Sequence, residues 1–315
     1  MAVSEASPRM DDDRAIAAVR GSPGRVDAPS AGQLPRRRWL RRAAMLAGLA
    51  GGGGALDAAI NHVRLVETRH AFATRPAVGP GPQRPAALGP QRPVRLVQVS
   101  DLHLHAIGVL ERCVLERLHA ADADWIVFTG DAIDRPEDLA LLDTFLAECP
   151  AGPRRFAIPG NWEYWSGVPL DDHRRIHERH GATWLVNRSV VVGQGALRIR
   201  VTGLDDLLGG RPDSAAALVD ADVADAHLLL VHAPVLGDRP EAAGADLTLA
   251  GHTHGGQIAP LGFAPVRPRG SGRFVAGWYH DATAPLYVSR GIGTSGIPLR
   301  VGAAPELTIV EWTIG

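Results

Sequence analysis

Short polar motifs follow directly after apolar runs at five places in this chain of 315 residues. Each run is short, apolar and partly β-branched, which predicts a strand that is buried on both faces. In open α/β sheets, ligands bind at the carboxyl ends of the strands. We therefore expect the motifs to meet on loops at one edge of a sheet. The runs span Val94–Ser100, Trp125–Thr129, Phe156–Pro159, Leu228–Val231 and Leu247–Ala250.

The motifs supply two carboxylates, one amide and four imidazoles as candidate metal ligands. Two divalent cations that share a carboxylate lie about 3.5–4 Å apart, a spacing that two-metal hydrolases use on phosphate esters. Since the donors are nitrogen and oxygen without a thiolate, Mn, Fe or Zn would suit them. The motifs are Asp101-Leu102-His103, Gly130-Asp131-Ala132-Ile133-Asp134, Gly160-Asn161-Trp162-Glu163, His232 and Gly251-His252-Thr253-His254.

The order of these motifs resembles the calcineurin-like metallophosphoesterase superfamily over roughly residues 94–315. The stretches Gly251–Gln257 and Ser289–Arg300 also resemble bacterial exported phosphodiesterases, a branch that is similar to the UDP-2,3-diacylglucosamine hydrolases. The resemblance implies an α/β fold in which two mixed β-sheets pack face to face and are flanked by helices, a four-layer sandwich. It further implies that water activated by two divalent metal ions hydrolyses a phosphodiester or pyrophosphate bond.

The resemblance also assigns the metal ligands residue by residue. The first metal would take Asp101, His103, Asp131 and His254, and the second would take Asp131, Asn161, His232 and His252. Asp131 would bridge the two. Asp131, His252 and His254 are accordingly the catalytic candidates, although metal ligands are poor acid–base groups.

One position departs from the pattern of the family. The third residue of G-N-H-[DE] is a histidine that contacts the scissile phosphate, and here it is Trp162. Asp134, which the resemblance expects to orient that histidine, is retained; it either contributes to the substrate site, caps a helix or holds Arg135. Because an alkoxide leaves poorly without a proton, Trp162 favours a substrate with a good leaving group, such as a phosphate or a phenolate.

Other residues near the motifs are candidates for substrate binding, with ordinary structural roles as alternatives. Trp162 forms an aromatic platform with Tyr164 and Trp165, or the latter two only pack under the loop. His105 either reaches the substrate or is a surface histidine. The Asp205-Asp206 pair either shapes the pocket or holds a turn.

Three amphipathic patterns between the strands predict helices. In the third, His173, His177 and His180 recur at helical spacing, and we interpret them as a solvated face rather than a metal site. The patterns span Val109–Ala120, Glu137–Cys149 and Asp171–His180.

The first ninety residues contain little that would form a core. Residues 1–35 are rich in Pro, Ser, Gly, Asp and Arg, which is typical of disorder. Arg36-Arg37-Arg38, followed by the weakly apolar Ala43–Leu56, resembles a twin-arginine export signal. The predicted organisation is a tail with a signal or anchor (1–60), a Pro/Gly-rich linker (61–93) and a metallophosphoesterase domain (94–315).

The signal bears on location and substrate. We expect an exported protein, in the periplasm or at the outer face of the cytoplasmic membrane, with its N-terminal segment as a candidate membrane contact. Its substrate would be a phosphoester in a phospholipid, a teichoic-type polymer or a nucleotide. If the same residues instead form a basic surface helix, we expect a cytoplasmic protein whose substrate is UDP-2,3-diacylglucosamine.

Two further expectations concern partners and function class. The formal net charge of −1 offers no general attraction to nucleic acid, so no such partner is expected. The sequence does not indicate an oligomeric state. An alternative of another class is a pseudoenzyme that binds phosphate ligands and lost its chemistry with the histidine.

Overall fold

The structure, a computed structural model, describes residues 63–74, 92–219, 224–242 and 244–315. These segments form two six-stranded sheets with helices on their outer faces, and both sheets contain parallel and antiparallel pairs. The predicted α/β class with two mixed sheets is therefore confirmed. The strands are β1 (Val66–Thr74), β2 (Val94–Val99), β3 (Trp125–Phe128), β4 (Arg154–Ala157), β5 (Ala182–Trp184), β6 (Arg188–Gln194), β7 (Leu197–Gly203), β8 (Ala226–Leu230), β9 (Leu247–Ala250), β10 (Gly277–Tyr279), β11 (Leu286–Val288) and β12 (Glu306–Ile314).

The first sheet has the strand order β1-β12-β2-β3-β4-β5. The pairs from β2 to β5 are parallel, so the carboxyl ends of β2, β3 and β4 lie at the same edge. Helices cross over between these strands, as parallel pairing requires. The helices of the described chain are α1 (Val109–Ala120), α2 (Leu139–Glu148), α3 (Trp162–Trp165), α4 (Leu170–Arg179) and α5 (Ser214–Leu218).

The second sheet has the strand order β10-β11-β9-β8-β7-β6. Its four central strands are parallel, which brings the carboxyl ends of β8 and β9 together. The outer strands run antiparallel to their neighbours. Strands β6 and β7 form a hairpin whose two-residue turn contains Gly195 at φ 60°, a conformation that suits the twist of tight hairpins.

Alternate residues of β2 face two different hydrophobic cores. Val94 and Leu96 lie in the core between the two sheets, whereas Val97 and Val99 pack in the core beneath the helices. Successive side chains of a strand point to opposite faces. Burial on both faces therefore explains why this strand is an uninterrupted apolar run.

The five predicted strands are confirmed as β2, β3, β4, β8 and β9, with bounds that shift by at most two residues. The predicted helix Val109–Ala120 is confirmed with the same bounds. The second helix begins two residues later than predicted, after a 3-10 turn over Pro136–Asp138, and ends one residue earlier. The third is shifted by one residue.

The prediction of a linker over residues 61–93 is wrong for Val66–Thr74. These residues form β1, which pairs in parallel with β12 over its whole length. The strand lies at the edge of the first sheet, where most of its side chains stay partly accessible. It therefore needs few large apolar residues.

The expected solvated face of α4 is wrong for two of its three histidines. His173 and His177 are buried. The His177 ring packs 5.2 Å from Trp184 and 5.5 Å from Phe128 between ring centroids. His180 is half-buried and its Nε2 lies 2.8 Å from the Asp143 carboxylate. The histidine stripe of this helix thus faces the core.

The predicted tail and export signal, residues 1–60, lie outside the described residues, as does the segment 75–91. Of the helices that the structure describes, none has the length and apolar character needed to cross a membrane.

Candidate metal centre

Loops from both sheets supply the candidate ligands. Asp101, Asp131 and Asn161 follow β2, β3 and β4 of the first sheet, while His232 and His254 follow β8 and β9 of the second. All seven predicted ligands are buried. Because the carboxyl ends of parallel strands meet at one edge, the two sheets bring their motifs to a common place.

Five of the seven predicted ligands have an unusual backbone conformation. Nine non-glycine residues of the described chain have a positive φ, and five of them are candidate ligands. Such conformations are strained for residues with a Cβ and cluster at functional sites, where the surrounding structure holds them. The five are Asp101 (φ 51°), His103 (φ 42°), Asp131 (φ 57°), His252 (φ 73°) and His254 (φ 50°).

The first group of candidate ligands is Asp101, His103 and His254. One ligand atom from each lies within 4.8 Å of the others. The Nε2 atoms of His103 and His254 are 3.1 Å apart, and His254 Nε2 is 3.5 Å from Asp101 Oδ1. Asp101 also accepts a hydrogen bond from the backbone N–H of His252 at 3.0 Å, which ties the two sheets together.

The second group is Asp131, His232 and His252. Here too, one ligand atom from each residue lies within 4.8 Å of the others. His232 Nε2 lies 3.2 Å from both Asp131 Oδ2 and His252 Nδ1. Asp131 Oδ2 is also 3.7 Å from His103 Nε2 of the first group. One carboxylate oxygen thus lies between the two groups, where a bridging ligand would be placed.

Asn161 completes the arrangement. Its Oδ1 atom is buried and has no hydrogen-bond partner among the described residues. Leaving a buried acceptor unpaired costs about 1–3 kcal/mol, which a cation at this atom would offset. The free amide oxygen beside two groups of nitrogen and oxygen donors fits a pair of divalent cations.

Hydrogen bonds orient three of the histidine rings. His103 Nδ1 contacts the Asp134 carboxylate, His232 Nδ1 donates to the Thr129 carbonyl at 2.7 Å, and His252 Nε2 donates to the Arg269 carbonyl at 2.6 Å. In each ring the other nitrogen faces the candidate ligand group. Such partners fix the tautomer of a metal-binding histidine and keep its lone pair directed at the metal.

The charge states of Asp131 and His252 suit metal binding. Burial raises the pKa of Asp131 to about 6. Burial, followed by the neighbouring His232, lowers the pKa of His252 to about 4. At neutral pH the carboxylate is therefore ionised and the His252 ring neutral, which are the forms that bind metal ions.

The sequence of residues 94–256 matches the family model described as calcineurin-like phosphoesterase. The chain belongs to the calcineurin-like phosphoesterase family. Together with the two groups of candidate ligands, this makes it a metal-dependent phosphoesterase. The resemblance on which the ligands were predicted is confirmed at the level of the family, whereas the similarity to UDP-2,3-diacylglucosamine hydrolases stays a prediction.

Three curated relatives of this calcineurin-like phosphoesterase are bacterial metallophosphoesterases. Metallophosphoesterase YkuE of Bacillus subtilis is 31% identical over 223 residues, covering 68% of this chain and 77% of that protein. A metallophosphoesterase of Aquifex aeolicus is 30% identical over 235 residues, covering 69% and 84%. A third, Cj0846 of Campylobacter jejuni, is 33% identical over 233 residues; the match covers 70% of this chain but only 59% of that longer protein.

Glu163 of this phosphoesterase is a buried carboxylate that sequence reasoning left without a role. It accepts backbone N–H groups from Gly160, Asp131 and Ala132 at 2.7, 2.9 and 2.8 Å. Although burial opposes the charge, nearby His173 and these three donors lower the pKa of Glu163. The carboxylate therefore holds the loops after β3 and β4 together beside the candidate ligands.

Arg300 is a second residue that sequence reasoning missed, although it ends the Ser289–Arg300 stretch that resembles exported phosphodiesterases. It is fully buried, and burial lowers its pKa to about 9. The guanidinium donates to the backbone carbonyls of His254 and Ala303 at 3.3 and 2.9 Å, and also to that of Gly293. It thereby fixes the backbone of a candidate ligand.

Trp162 lies against the first ligand group. Its indole meets the His103 ring edge-on, with 6.1 Å between centroids, and meets Trp165 at 6.0 Å. Tyr164 turns away and donates from its hydroxyl to Asp205. Of the predicted aromatic platform, the structure brings together Trp162 and Trp165, while Tyr164 joins the Asp205 loop.

Asp134 has partners that the sequence did not predict. Its carboxylate contacts His103 Nδ1 and lies 3.3 Å from His105 Nε2. The alternatives in which it caps a helix or holds Arg135 are wrong, because the N-cap of the following 3-10 turn is Arg135 and Arg135 pairs with Asp138 at 3.1 Å. His105 is a largely exposed histidine whose Nδ1 lies 2.9 Å from Asp138. Substrate contacts of Asp134 and His105 stay predictions.

The Asp205-Asp206 pair holds a turn at the carboxyl end of β7. Asp205 accepts the backbone N–H of Arg211 at 2.8 Å, and Asp206 accepts that of Gly209 at 2.6 Å. The second oxygen of Asp206, Oδ1, is buried and has no hydrogen-bond partner among the described residues. The turn interpretation therefore accounts for these residues apart from this one oxygen.

Proposed function

We propose that this protein is a dinuclear phosphoesterase that hydrolyses a phosphodiester or pyrophosphate bond. The observation that carries the proposal is the position of Asp131 Oδ2, 3.2 Å from a histidine of one ligand group and 3.7 Å from a histidine of the other. The unpaired Asn161 Oδ1 supports the same ligand sets. The proposed ligands are Asp101, His103, Asp131 and His254 for one metal, and Asp131, Asn161, His232 and His252 for the other.

Two divalent cations held by these residues would activate water for attack and neutralise charge on the reacting phosphate. The protein's own groups hold this arrangement. Asp131 Oδ1 accepts the Trp162 backbone N–H at 2.8 Å, which leaves Oδ2 to face both histidine groups. Asp134 and the Thr129 carbonyl orient the His103 and His232 rings.

The substrate we propose carries a good leaving group on phosphorus. Trp162 occupies the position of a histidine that would contact the phosphate, and an indole supplies no proton to a leaving alkoxide. The phosphate released from a pyrophosphate, or the phenolate released from an aryl phosphodiester, departs without that proton. The flat Trp162 and Trp165 rings suit a nucleotide base or an acyl chain, so we propose a lipid- or nucleotide-linked phosphoester.

The metal identities are proposed as Mn, Fe or Zn, since each accepts imidazole and carboxylate ligands. We further propose export to the cell envelope through the Arg36-Arg37-Arg38 segment. Export would place the enzyme with envelope phosphoesters rather than with cytoplasmic UDP-2,3-diacylglucosamine.

Substitution of the bridge tests the proposal. Asp131→Asn should lower bound metal from two ions towards one or none and reduce hydrolysis of bis(p-nitrophenyl) phosphate by at least about 10²-fold, because a neutral amide bridges cations poorly. Asp143→Asn is the matched control, since that carboxylate pairs with Arg179 on the surface. Metal content by plasma mass spectrometry and kcat/KM are measured for each purified variant.

Equal metal content and activity in Asp131→Asn and the wild type would contradict the dinuclear site. A wild-type protein that binds two metals yet hydrolyses neither diesters nor pyrophosphates would instead be the phosphate-binding pseudoenzyme.

A further inference from the structure

The loop between β9 and β10 exposes an apolar tip. Leu261 is fully exposed, and the exposed fractions of Phe263 and Val266 are 70% and 41%. Six large hydrophobic residues of the described chain are exposed, and three of them fall within these six consecutive positions. Single exposed apolar residues are ordinary, but a concentration of them marks an interaction surface. We call residues 260–269 the apolar loop.

The charge of the apolar loop is entirely positive. It contains Arg267 and Arg269, both exposed, and no Asp or Glu occurs anywhere from residue 247 to residue 280. An apolar tip flanked by arginines is complementary to a bilayer with anionic headgroups. The apolar side chains enter the boundary of the acyl chains while the guanidinium groups stay with the phosphates.

The base of the apolar loop is fixed to the metal centre. The Arg269 carbonyl accepts the His252 Nε2 hydrogen bond at 2.6 Å, and the Gly270 carbonyl accepts the Val235 N–H at 3.2 Å. At the other end, the Ala259 N–H donates to the Val301 carbonyl at 2.8 Å. Three residues span at most about 11 Å, so Val266 lies within that distance of Arg269, beside a candidate metal ligand.

We propose that the apolar loop docks on an anionic phospholipid surface and places the metal centre against lipid-linked phosphates. The proposal rests on the proposed phosphoesterase function and narrows its substrate to a phosphoester carried by a membrane lipid. The hydrogen bond from His252 Nε2 to the Arg269 carbonyl fixes the base of the docking loop beside the ligand group. A substrate phosphate at the level of the headgroups then lies close to both.

Vesicle sedimentation tests the docking with full-length protein. The vesicles contain phosphatidylcholine alone or with about one third phosphatidylglycerol. The loop variant is Leu261→Asn/Phe263→Ser, in which Asn suits the left-handed backbone at Leu261 (φ 55°). The matched control is Val63→Ser/Val109→Ser, which removes two exposed apolar side chains elsewhere. Because all variants keep residues 1–62, any membrane binding by that segment is common to them.

We expect the loop variant to lose at least about tenfold in partition to the anionic vesicles, since full burial of one Leu or Phe changes partition by on the order of tenfold or more. The control should stay within about twofold of the wild type. Arg267→Gln/Arg269→Gln should weaken binding to anionic vesicles and reduce its dependence on salt, without changing binding to phosphatidylcholine.

Partition of the loop variant equal to that of the wild type would overturn the proposal, as would a wild type that binds no vesicles. Loss of self-association in the loop variant by sedimentation velocity, with unchanged vesicle binding, would assign the surface to a second copy and also overturn it. Hydrolysis of bis(p-nitrophenyl) phosphate in solution separates the two proposals. Vesicle binding that depends on the loop, in a protein that hydrolyses neither this diester nor pyrophosphates, would sustain the docking and contradict the proposed hydrolysis.

Discussion

Replacing Glu163 with Gln should destabilise the protein strongly even without metal. The Glu163 side chain is almost completely buried, and its Oε2 accepts two backbone N–H groups while Oε1 accepts a third. Gln offers only one acceptor oxygen, so its NH2 group must face a backbone N–H. The substitution therefore keeps the shape of the side chain but places the NH2 donor of Gln against a backbone N–H donor.

The expected loss in the free energy of unfolding is about 2–4 kcal/mol. Hydrogen bonds to a charged group contribute about 1.5–3 kcal/mol each, and a buried polar group left unsatisfied costs about 1–3 kcal/mol. The change weakens the two retained bonds and leaves one donor unsatisfied, while it removes the cost of burying a charge. The net effect lies within the range of the larger point substitutions.

Urea denaturation in the presence of EDTA measures this loss separately from metal binding. Glu178→Gln is the matched control, because that carboxylate is exposed and pairs with Arg174 on the surface of α4. It should change the free energy of unfolding by no more than about 0.5 kcal/mol. If Glu163→Gln unfolds within that same margin of the wild type, the three hydrogen bonds do not hold the loops as argued.

Three further substitutions test the core, the substrate side and the N-terminal signal. Burial lowers the pKa of His177 to about 3 from its ordinary 6.5, so stability is lost as pH falls below 6.5, by about 2 kcal/mol at pH 5. His177→Phe should remove this loss, so the urea midpoint of the variant relative to that of the wild type should be higher at pH 5 than at pH 8. The same difference between the two proteins at both pH values would contradict the prediction. Trp162→His should raise kcat/KM on dialkyl diesters, within the 10²–10⁴-fold typical of one general acid, and change aryl diesters little; a flat leaving-group dependence in the wild type would show that another residue supplies the proton. Arg36→Lys/Arg37→Lys should retain the protein inside the cell, and unchanged distribution in cell fractions would rule out the signal.

The position of the candidate site was predictable because burial on both faces leaves a plain pattern in the chain. Strands such as β3 (WIVF) have no polar residue, so the first polar residues after them mark the strand end. The apolar pattern does not indicate which strands pair with each other. The runs before Asp131 and His232 look alike, yet β3 and β8 belong to different sheets.

Long-range pairing also explains why β1 was not predicted. Its residues alternate between half-buried and exposed, and their strand conformation depends on β12, which lies more than two hundred residues later in the chain. A segment with that pattern is equally suited to a surface loop. Only the presence of a free edge beside β12 decides between them.

The buried histidines of α4 were predictable from their positions in the helix but not from their residue type. His173 and His177 share a helical stripe with Leu170 and Ile176, which are the apolar residues of this helix. A stripe at this spacing predicts the buried face. Histidine was interpreted as polar, although its ring packs as an aromatic group against Trp184.

The metal centre depends on polar contacts that align the two sheets. The apolar core holds the sheets together but prefers no particular offset between them, because the hydrophobic effect is non-directional. Gln98, fully buried, donates from Nε2 to the Ala250 carbonyl at 2.9 Å and to Thr129 Oγ1 at 3.0 Å. It thus joins β2 to the ends of β9 and β3.

Those ends are the residues that precede the ligands. Ala250 stands two residues before His252, and Thr129 stands two residues before Asp131, so one side chain sets the distance between ligands of both sheets. A slide of one sheet over the other by the rise of a single residue, about 3.3 Å, would leave each side chain on its own face but would separate Asp101 from His254, whose Oδ1 and Nε2 atoms lie 3.5 Å apart. The hydrogen bonds of Gln98, and those from the His252 N–H to Asp101, therefore select the one alignment in which both ligand groups are complete. Packing makes the sandwich stable, and these few buried polar contacts bring the two groups of candidate ligands together.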